Sequence, residues 1–154
     1  MKEPEFDVHA AHRYFSAYCF NAAWGLIDKA ERSAEEDEAM LRLSLTSTWH
    51  WTQREDCTPT NLSIGYWQTS RIYALLRQAD NARRYAQLCL QASQVDGVPP
   101  FYLGYAYEAL ARAEAVAGKR GSMAEYLKLA RGAAEQVIEP EDKKQLLADL
   151  DTIT

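Results

Sequence analysis

Apolar residues along this chain recur every three to four positions, the spacing that gathers them on one side of an α-helix. No run alternates apolar and polar residues for long enough to predict a strand. A first helix is expected from about Pro4 to Asp28, crowded with Phe6, Tyr14, Phe15, Tyr18, Phe20 and Trp24. Phe15, Tyr18 and Cys19 share a face while Tyr14 and Phe20 point elsewhere, which implies burial between neighbours or a subunit interface. Ser33 and Glu36 have capping-box spacing, so a second helix should run over 34–53. Its opening acids, Glu35 to Glu38, sit where the helix dipole favours negative charge and read as a solvated first turn. Thr58-Pro59 predicts a third helix, with proline at the first helical position, where no N–H is needed. Asp80 or Asn81 should cap a fourth. Asp96-Gly97-Val98-Pro99-Pro100 interrupts the chain before a fifth, and Ser122 with Glu125 reads as the capping box of a sixth. Pro140 opens a short seventh helix, which Leu146, Leu147 and Leu150 would dock.

The second half of the pattern repeats. Residues 59–99, laid over 100–140 at an offset of 41, share nine identities, among them Pro59/Pro100, Tyr66/Tyr107, Arg71/Arg112, Tyr85/Tyr126 and Pro99/Pro140. Background composition would supply roughly two or three. A period of this size with two helices per unit is the mark of stacked helical hairpins. The expected fold is therefore all-α, about seven helices in antiparallel hairpins forming a right-handed stack as one domain. Residues 1–57 would be a divergent first hairpin, 58–98 and 99–139 the two repeats, and 140–154 a capping helix for the exposed end.

Composition narrows the setting. An apolar fraction of 47% and a charged fraction of 25% suit a globular chain and argue against wholesale disorder. The net charge of −5 is spread without a basic stripe: residues 1–58 carry −5, 59–98 carry +2 and 99–154 carry −2. Nucleic acid, which needs clustered cations, is not an expected partner. Cys19, Cys57 and Cys89 are widely spaced and form no C-x-x-C pair, so free thiols in a reducing compartment are expected. The start of the chain lacks the basic and apolar runs of a signal peptide. No stretch approaches the roughly 18 apolar residues of a membrane span. A cytoplasmic protein without a membrane partner is the expectation.

The repeat resembles the tetratricopeptide repeat (TPR). Tyr66, Ser70, Tyr73, Ala82 and Cys89 stand where that family places aromatic and small residues, and Tyr107, Ala111 and Ala130 follow in the next unit. Glu114 and Met123 depart from the pattern, and the period of 41 exceeds the family's roughly 34. The segment from Trp49-His50-Trp51 through Thr58-Pro59-Thr60-Asn61 to Trp67, Ser70-Arg71 and Tyr73 also resembles a group of small bacterial helical proteins, as does 106–113. The resemblance implies a TPR-like fold, in which equivalent faces of the first helix of each hairpin line a concave groove. It implies no activity, no cofactor and no functional residues.

Two clusters carry candidate chemistry. On the third helix Ile64, Trp67 and Arg71 share a side, and on the fifth Phe101, Tyr105, Glu108 and Arg112 do. Arginines one repeat apart suit a bidentate grip on a carboxylate or phosphate, with Trp67 and Tyr105 as apolar anchors. A groove of Trp67, Arg71, Tyr105, Glu108 and Arg112 would take a protein or peptide segment, acidic or C-terminal. The competing reading makes Glu108–Arg112 a surface pair of about 0.2–0.5 kcal/mol and pairs Arg71 with an acid on a neighbouring helix. The alternative site is the corner of His50, Trp51, Arg54 and Asn61, converging with Trp67 on a pocket for a small-molecule sensor or a cryptic enzyme. His9 and His12 have chelating spacing and Glu5 could complete a face with His9, but a zinc site needs a third or fourth protein ligand and His50 is the only other histidine, so no metal is expected. No phosphate loop or nucleophile motif is present, which favours a non-catalytic module. The aromatic first helix would suit homodimerisation.

Overall fold

The computed structural model describes residues 5–154, and among them lie seven α-helices and no strand. They are α1 (Val8–Ile27), α2 (Ala34–Thr52), α3 (Pro59–Leu75), α4 (Ala79–Ser93), α5 (Pro100–Val116), α6 (Arg120–Glu135) and α7 (Pro140–Leu150). None of the described helices is long and apolar enough to cross a membrane.

Local chemistry sets most of the boundaries. The expected start near Pro4 lies outside the described residues; α1 begins at Val8, where the Asp7 carboxylate accepts from the Ala10 N–H at 2.9 Å. Ser33 and Glu36 form the reciprocal capping box expected of α2. A second box opens α3, with Thr58 Oγ1 accepting from the Asn61 N–H and Asn61 Oδ1 accepting from the Thr58 N–H at 2.9 Å. Two expected caps are corrected. Asp80, Asn81 and Ser122 cap nothing, because α4 and α6 start earlier, after Gln78 and Lys119. Each preceding helix ends in a left-handed residue, Arg77 (φ 61°) before α4 and Gly118 (φ 72°) before α6. The next N–H then folds back onto the old helix, Gln78 to Tyr73 O and Lys119 to Glu114 O, both at 2.9 Å. The reversal is so tight that the new helix begins before the polar residue is reached. These two turns stand 41 residues apart, as do both ends of α3 and α5.

Side-chain pairings give the register. His12 meets His50 and Ser47 Oγ donates to Ser16 O at 2.7 Å, so α1 and α2 are antiparallel. Ser44 pairs with Thr69 across α2 and α3. Ser63 with Ser93, and Ser70 with Ala82 O, both at 2.8 Å, set α3 against α4. Arg83 with Glu114 sets α4 against α5. Small hydroxyl residues at these seams satisfy one another inside close-packed helices, which apolar side chains of that size would leave loose. Gly65 marks the closest approach, since a Cβ there would lie 2.6 Å from Thr48 Oγ1.

The odd-numbered helices α3, α5 and α7 lie side by side and parallel: Trp67 reaches Glu108, Tyr105 reaches Asp149, and Arg112 reaches Thr152. Helix α5 is the most enclosed, with Ala106, Ala109, Leu110, Ala111 and Ala113 buried. Helix α7 closes one end of the row by sinking Leu146 and Leu150 against Tyr105, Ala130 and Ala134. Cys19 and Cys89 are buried free thiols, and burial pushes Cys89 up to about 11.

The docking of α7 turns on one contact. A Cβ at Gly104 would fall 2.4 Å from Cδ2 of fully buried Leu146. Gly104→Ala alone should cost about 1–3 kcal/mol by overpacking, and Leu146→Ala about 2–5 kcal/mol by leaving a void. The double variant should cost clearly less than the sum, because each change relieves the other. Urea denaturation of the four proteins measures this, and strict additivity would mean that α7 does not pack on Gly104.

Candidate functional site

The face shared by α3, α5 and α7 is built one turn at a time. From α3 it takes Ile64, Trp67 and Arg71; from α5 Phe101, Tyr105, Glu108 and Arg112; from α7 and the turn after it Asp149 and Thr152. A polar network crosses its middle. Glu108, 1% exposed, accepts from Trp67 Nε1 at 2.8 Å through one oxygen and from Arg112 through the other. Arg112 continues to Thr152 Oγ1 at 2.9 Å and Asp149 O at 3.3 Å. Tyr105 donates its hydroxyl to Asp149 at 2.5 Å, and burial and that carboxylate raise its pKa, so it stays a donor.

This network places two of the expected groove residues, Glu108 and Arg112, in a largely buried ion pair. Glu108 lies beneath the surface and offers nothing to a ligand. The Glu108–Arg112 pair is not an exposed one of a few tenths of a kcal/mol: its side chains are 1% and 15% exposed, so removing either would strand a buried charge. Arg71, its repeat equivalent, has a different fate. It is half-buried and makes no hydrogen bond or ion pair with the described residues. Burial and the neighbouring Arg112 charge pull its pKa down, while Glu108 and Asp149 act on it only from a distance.

Two clefts flank the network. One, of about 290 Å³, is walled by Phe20 and Trp24 of α1, Trp67 of α3 and Phe101 and Tyr105 of α5, with Asp149 at its edge. The other, of about 240 Å³, holds Arg71, Arg77 and Arg112 above Leu75, Val116 and Ile153. Arg77 is the residue that sequence reasoning missed. It carries the left-handed conformation that its counterpart Gly118 adopts without steric cost. For arginine that conformation costs roughly 1–2 kcal/mol. The signal was in the repeat: a cation stands where the other unit has glycine.

Of the corner of His50, Trp51, Arg54 and Asn61, Trp51 meets Arg54 and shares a cleft with Asn61, while His50 turns away. Arg54 lies 3.8 Å from the Trp51 ring centroid, grips Asp56 at 2.8 and 2.6 Å, and bonds Ser16. Asn61 is spent on the α3 cap, and with Trp51 it borders a shallow cleft of about 210 Å³ against Phe20 and Ile64. Trp67 belongs to the next cleft along. His50 turns to α1, where its Nδ1 lies 2.8 Å from Nδ1 of His12, with Phe15 and Trp49 packed on the two rings. No sequence signal links residues 38 positions apart in this way. No group of three or more His, Cys, Asp or Glu side chains placed to hold a metal occurs among the described residues.

Comparison with protein-family models, with curated proteins and with solved structures gives no match.

The histidine pair generates a pH dependence. A short Nδ1–Nδ1 contact needs one proton shared between two imidazoles, and burial with the His12 charge lowers the His50 pKa below 6.5. Below that value the unfolded chain takes up the proton first, so stability present above 6.5 is lost as pH falls through the folded value. Between about pH 7.5 and about pH 5.5 the Tm should fall, and less so in His50→Gln. Scanning calorimetry at several pH values tests this; equal slopes for both proteins would remove the pair from the account.

Proposed function

We propose that this chain is a non-catalytic, TPR-like interaction module whose α3–α5–α7 groove holds a protein or peptide segment by a carboxylate, acidic or C-terminal. The observation that carries this reading is Arg71, a half-buried guanidinium left without a partner while Glu108 neutralises Arg112 beside it. A guanidinium withdrawn from water and facing a second cation gains from any anion that reaches it, and its planar fork suits a carboxylate. Arg77 adds to the same cleft at a conformational cost, and strain of that kind tends to gather at functional positions. Beyond the arginines the ligand would run over the Trp67 and Tyr105 rings, whose polar atoms are already satisfied by Glu108 and Asp149. The three unpaired cysteines support a reducing, cytoplasmic setting for such a module.

This reading sets stability against binding. Arg71→Gln should bind a short peptide with a free terminal carboxylate about 10- to 100-fold more weakly, the worth of lost charge-assisted hydrogen bonds, while folding as stably as the parent or more so. Arg77→Gly should also weaken binding while raising stability by up to about 1 kcal/mol. Titration calorimetry with the peptide and its amide, beside urea denaturation, reads both quantities. Unchanged binding in Arg71→Gln, or equal affinity for acid and amide, would sink the reading.

One observation favours self-association as well. Tyr14, Phe15 and Tyr18 form a ring cluster on the outer side of α1, and Trp49 of α2 joins them through His50; Tyr14, Tyr18 and Trp49 are each more than half exposed. No charged residue lies between Arg13 and Asp28, so two copies would meet there without like-charge repulsion despite a net charge of −5. Sedimentation should show a dimer that Tyr18→Glu dissociates; a monomer at every accessible concentration would rule this out.

A further inference from the structure

The aromatic cleft has a composition that an ordinary apolar groove does not need. Its walls form an unbroken arc of five rings in which each meets the next: Phe20 and Trp24 at 6.4 Å, Trp24 and Trp67 at 5.7 Å, Trp67 and Tyr105 at 5.3 Å, Tyr105 and Phe101 at 4.9 Å. Three of the four junctions are steep, at 74°, 81° and 71°, so neighbouring rings meet edge to face and the wall they form is not flat. Helices α1, α3 and α5 each contribute, and none of the five is an exposed residue.

The charges at this cleft have one sign. Asp149 is the carboxylate among its lining residues, and no cationic side chain lines it. One oxygen of Asp149 takes the Tyr105 proton donor, while the other has no hydrogen bond from the described residues. Gln145 and Tyr102 complete the polar fringe. An electron-rich ring face attracts a cation through its quadrupole, most strongly where water is excluded, and a half-satisfied carboxylate at the rim adds to that field. The other polar handles are taken: Trp67 Nε1 serves Glu108, and the Ser63 hydroxyl pairs with Ser93. The cleft therefore presents no cationic donor for an anion, and Gln145 and Tyr102 are its remaining neutral polar groups. Its volume of about 290 Å³ lies at the small end of the roughly 300–1,000 Å³ typical of ligand clefts, suited to a headgroup and not to a large molecule.

We propose that the cleft walled by Phe20, Trp24, Trp67, Phe101 and Tyr105 is a cage for a trimethylammonium group, seated against the rings with Asp149 at its edge. The inference rests on the reading of the α3–α5–α7 face as a binding groove and names the chemistry of its aromatic end. The groove is then bipolar. Cation-seeking rings stand at one end and Arg71 at the other, and Trp67 and Arg71 are one helical turn, about 6 Å, apart along α3. A ligand carrying both a quaternary nitrogen and a carboxylate would span the two. Two sources supply that chemistry, a free quaternary ammonium metabolite or a trimethylated lysine in a protein segment, and the tests separate them.

The experiment titrates the full chain with choline, with its neutral tert-butyl isostere, and with a short peptide carrying trimethyl-lysine or unmodified lysine. The indole Nε1–H resonances of Trp24 and Trp67 are followed by NMR. Choline or the trimethylated peptide should bind about tenfold more tightly than the uncharged or unmethylated comparator, and Trp24→Leu should lose about that factor. Trp24→Phe should retain most of the affinity. Binding of choline with no binding of the peptide, or only weaker binding, would identify a free small molecule, and tighter binding of the trimethylated peptide than of choline a modified partner; both support the cage. Equal affinity for the tert-butyl isostere would overturn it in favour of an apolar subsite, and so would absence of binding by every ammonium probe to folded protein. The wild-type ligand comparison stands even if Trp24→Leu fails to fold. Arg71→Gln separates this outcome from the groove reading: it should weaken the carboxylate peptide and leave choline unchanged.

Discussion

Glu108 is the point on which the row of parallel helices depends. Its carboxylate is fully withdrawn from water between α3 and α5, and such a group survives only if its oxygens are satisfied by strong donors. Trp67 satisfies one and Arg112 the other. Trp67 and Glu108 occupy the same position in successive repeats, so one bond ties two hairpins at equivalent points. Arg112 then carries the constraint onward to the end of α7. Because the donors are an indole and a guanidinium held by their own packing, the spacing of α3, α5 and α7 is set by hydrogen-bond geometry as well as by apolar contact.

The same network divides the groove into two chemical regions. Fixing Trp67 and Tyr105 by their polar atoms leaves their rings to form the wall of the aromatic cleft. Committing Glu108 to Arg112 leaves Arg71 uncompensated in the other cleft. A single buried acid thus decides which of the two arginines is ion-paired and which is not. Arg71 is held there half-buried, with the Arg112 charge beside it.

The left-handed turns show how a repeat can keep its geometry and change its chemistry. Arg77 and Gly118 have nearly the same φ and support the same return bonds, yet one is the least costly residue for the conformation and the other adds a guanidinium to a cleft. The hairpins share a backbone plan, and at this turn they differ in a residue that lines the cleft of Arg71 and Arg112.

The seven helices and most of their boundaries were legible in the chain itself, because periodicity, proline at the first helical position and the box at Ser33 act within a few residues. The repeat announced which helices would be equivalent, and Glu108 four residues before Arg112 offered that arginine an ion pair. The starts of α4 and α6 were misread because a tight reversal took the capping role from Asp80 and Ser122. What the tertiary structure alone decided was pairing across distance: His50 with His12, Tyr105 with Asp149, and Phe20 and Trp24 of the first hairpin brought beside Trp67 and Phe101. Local sequence fixes which way a side chain leaves its own helix. Which helix it then meets depends on how closely small residues such as Ser16, Gly65 and Gly104 let the hairpins approach, and that is a property of the packed whole.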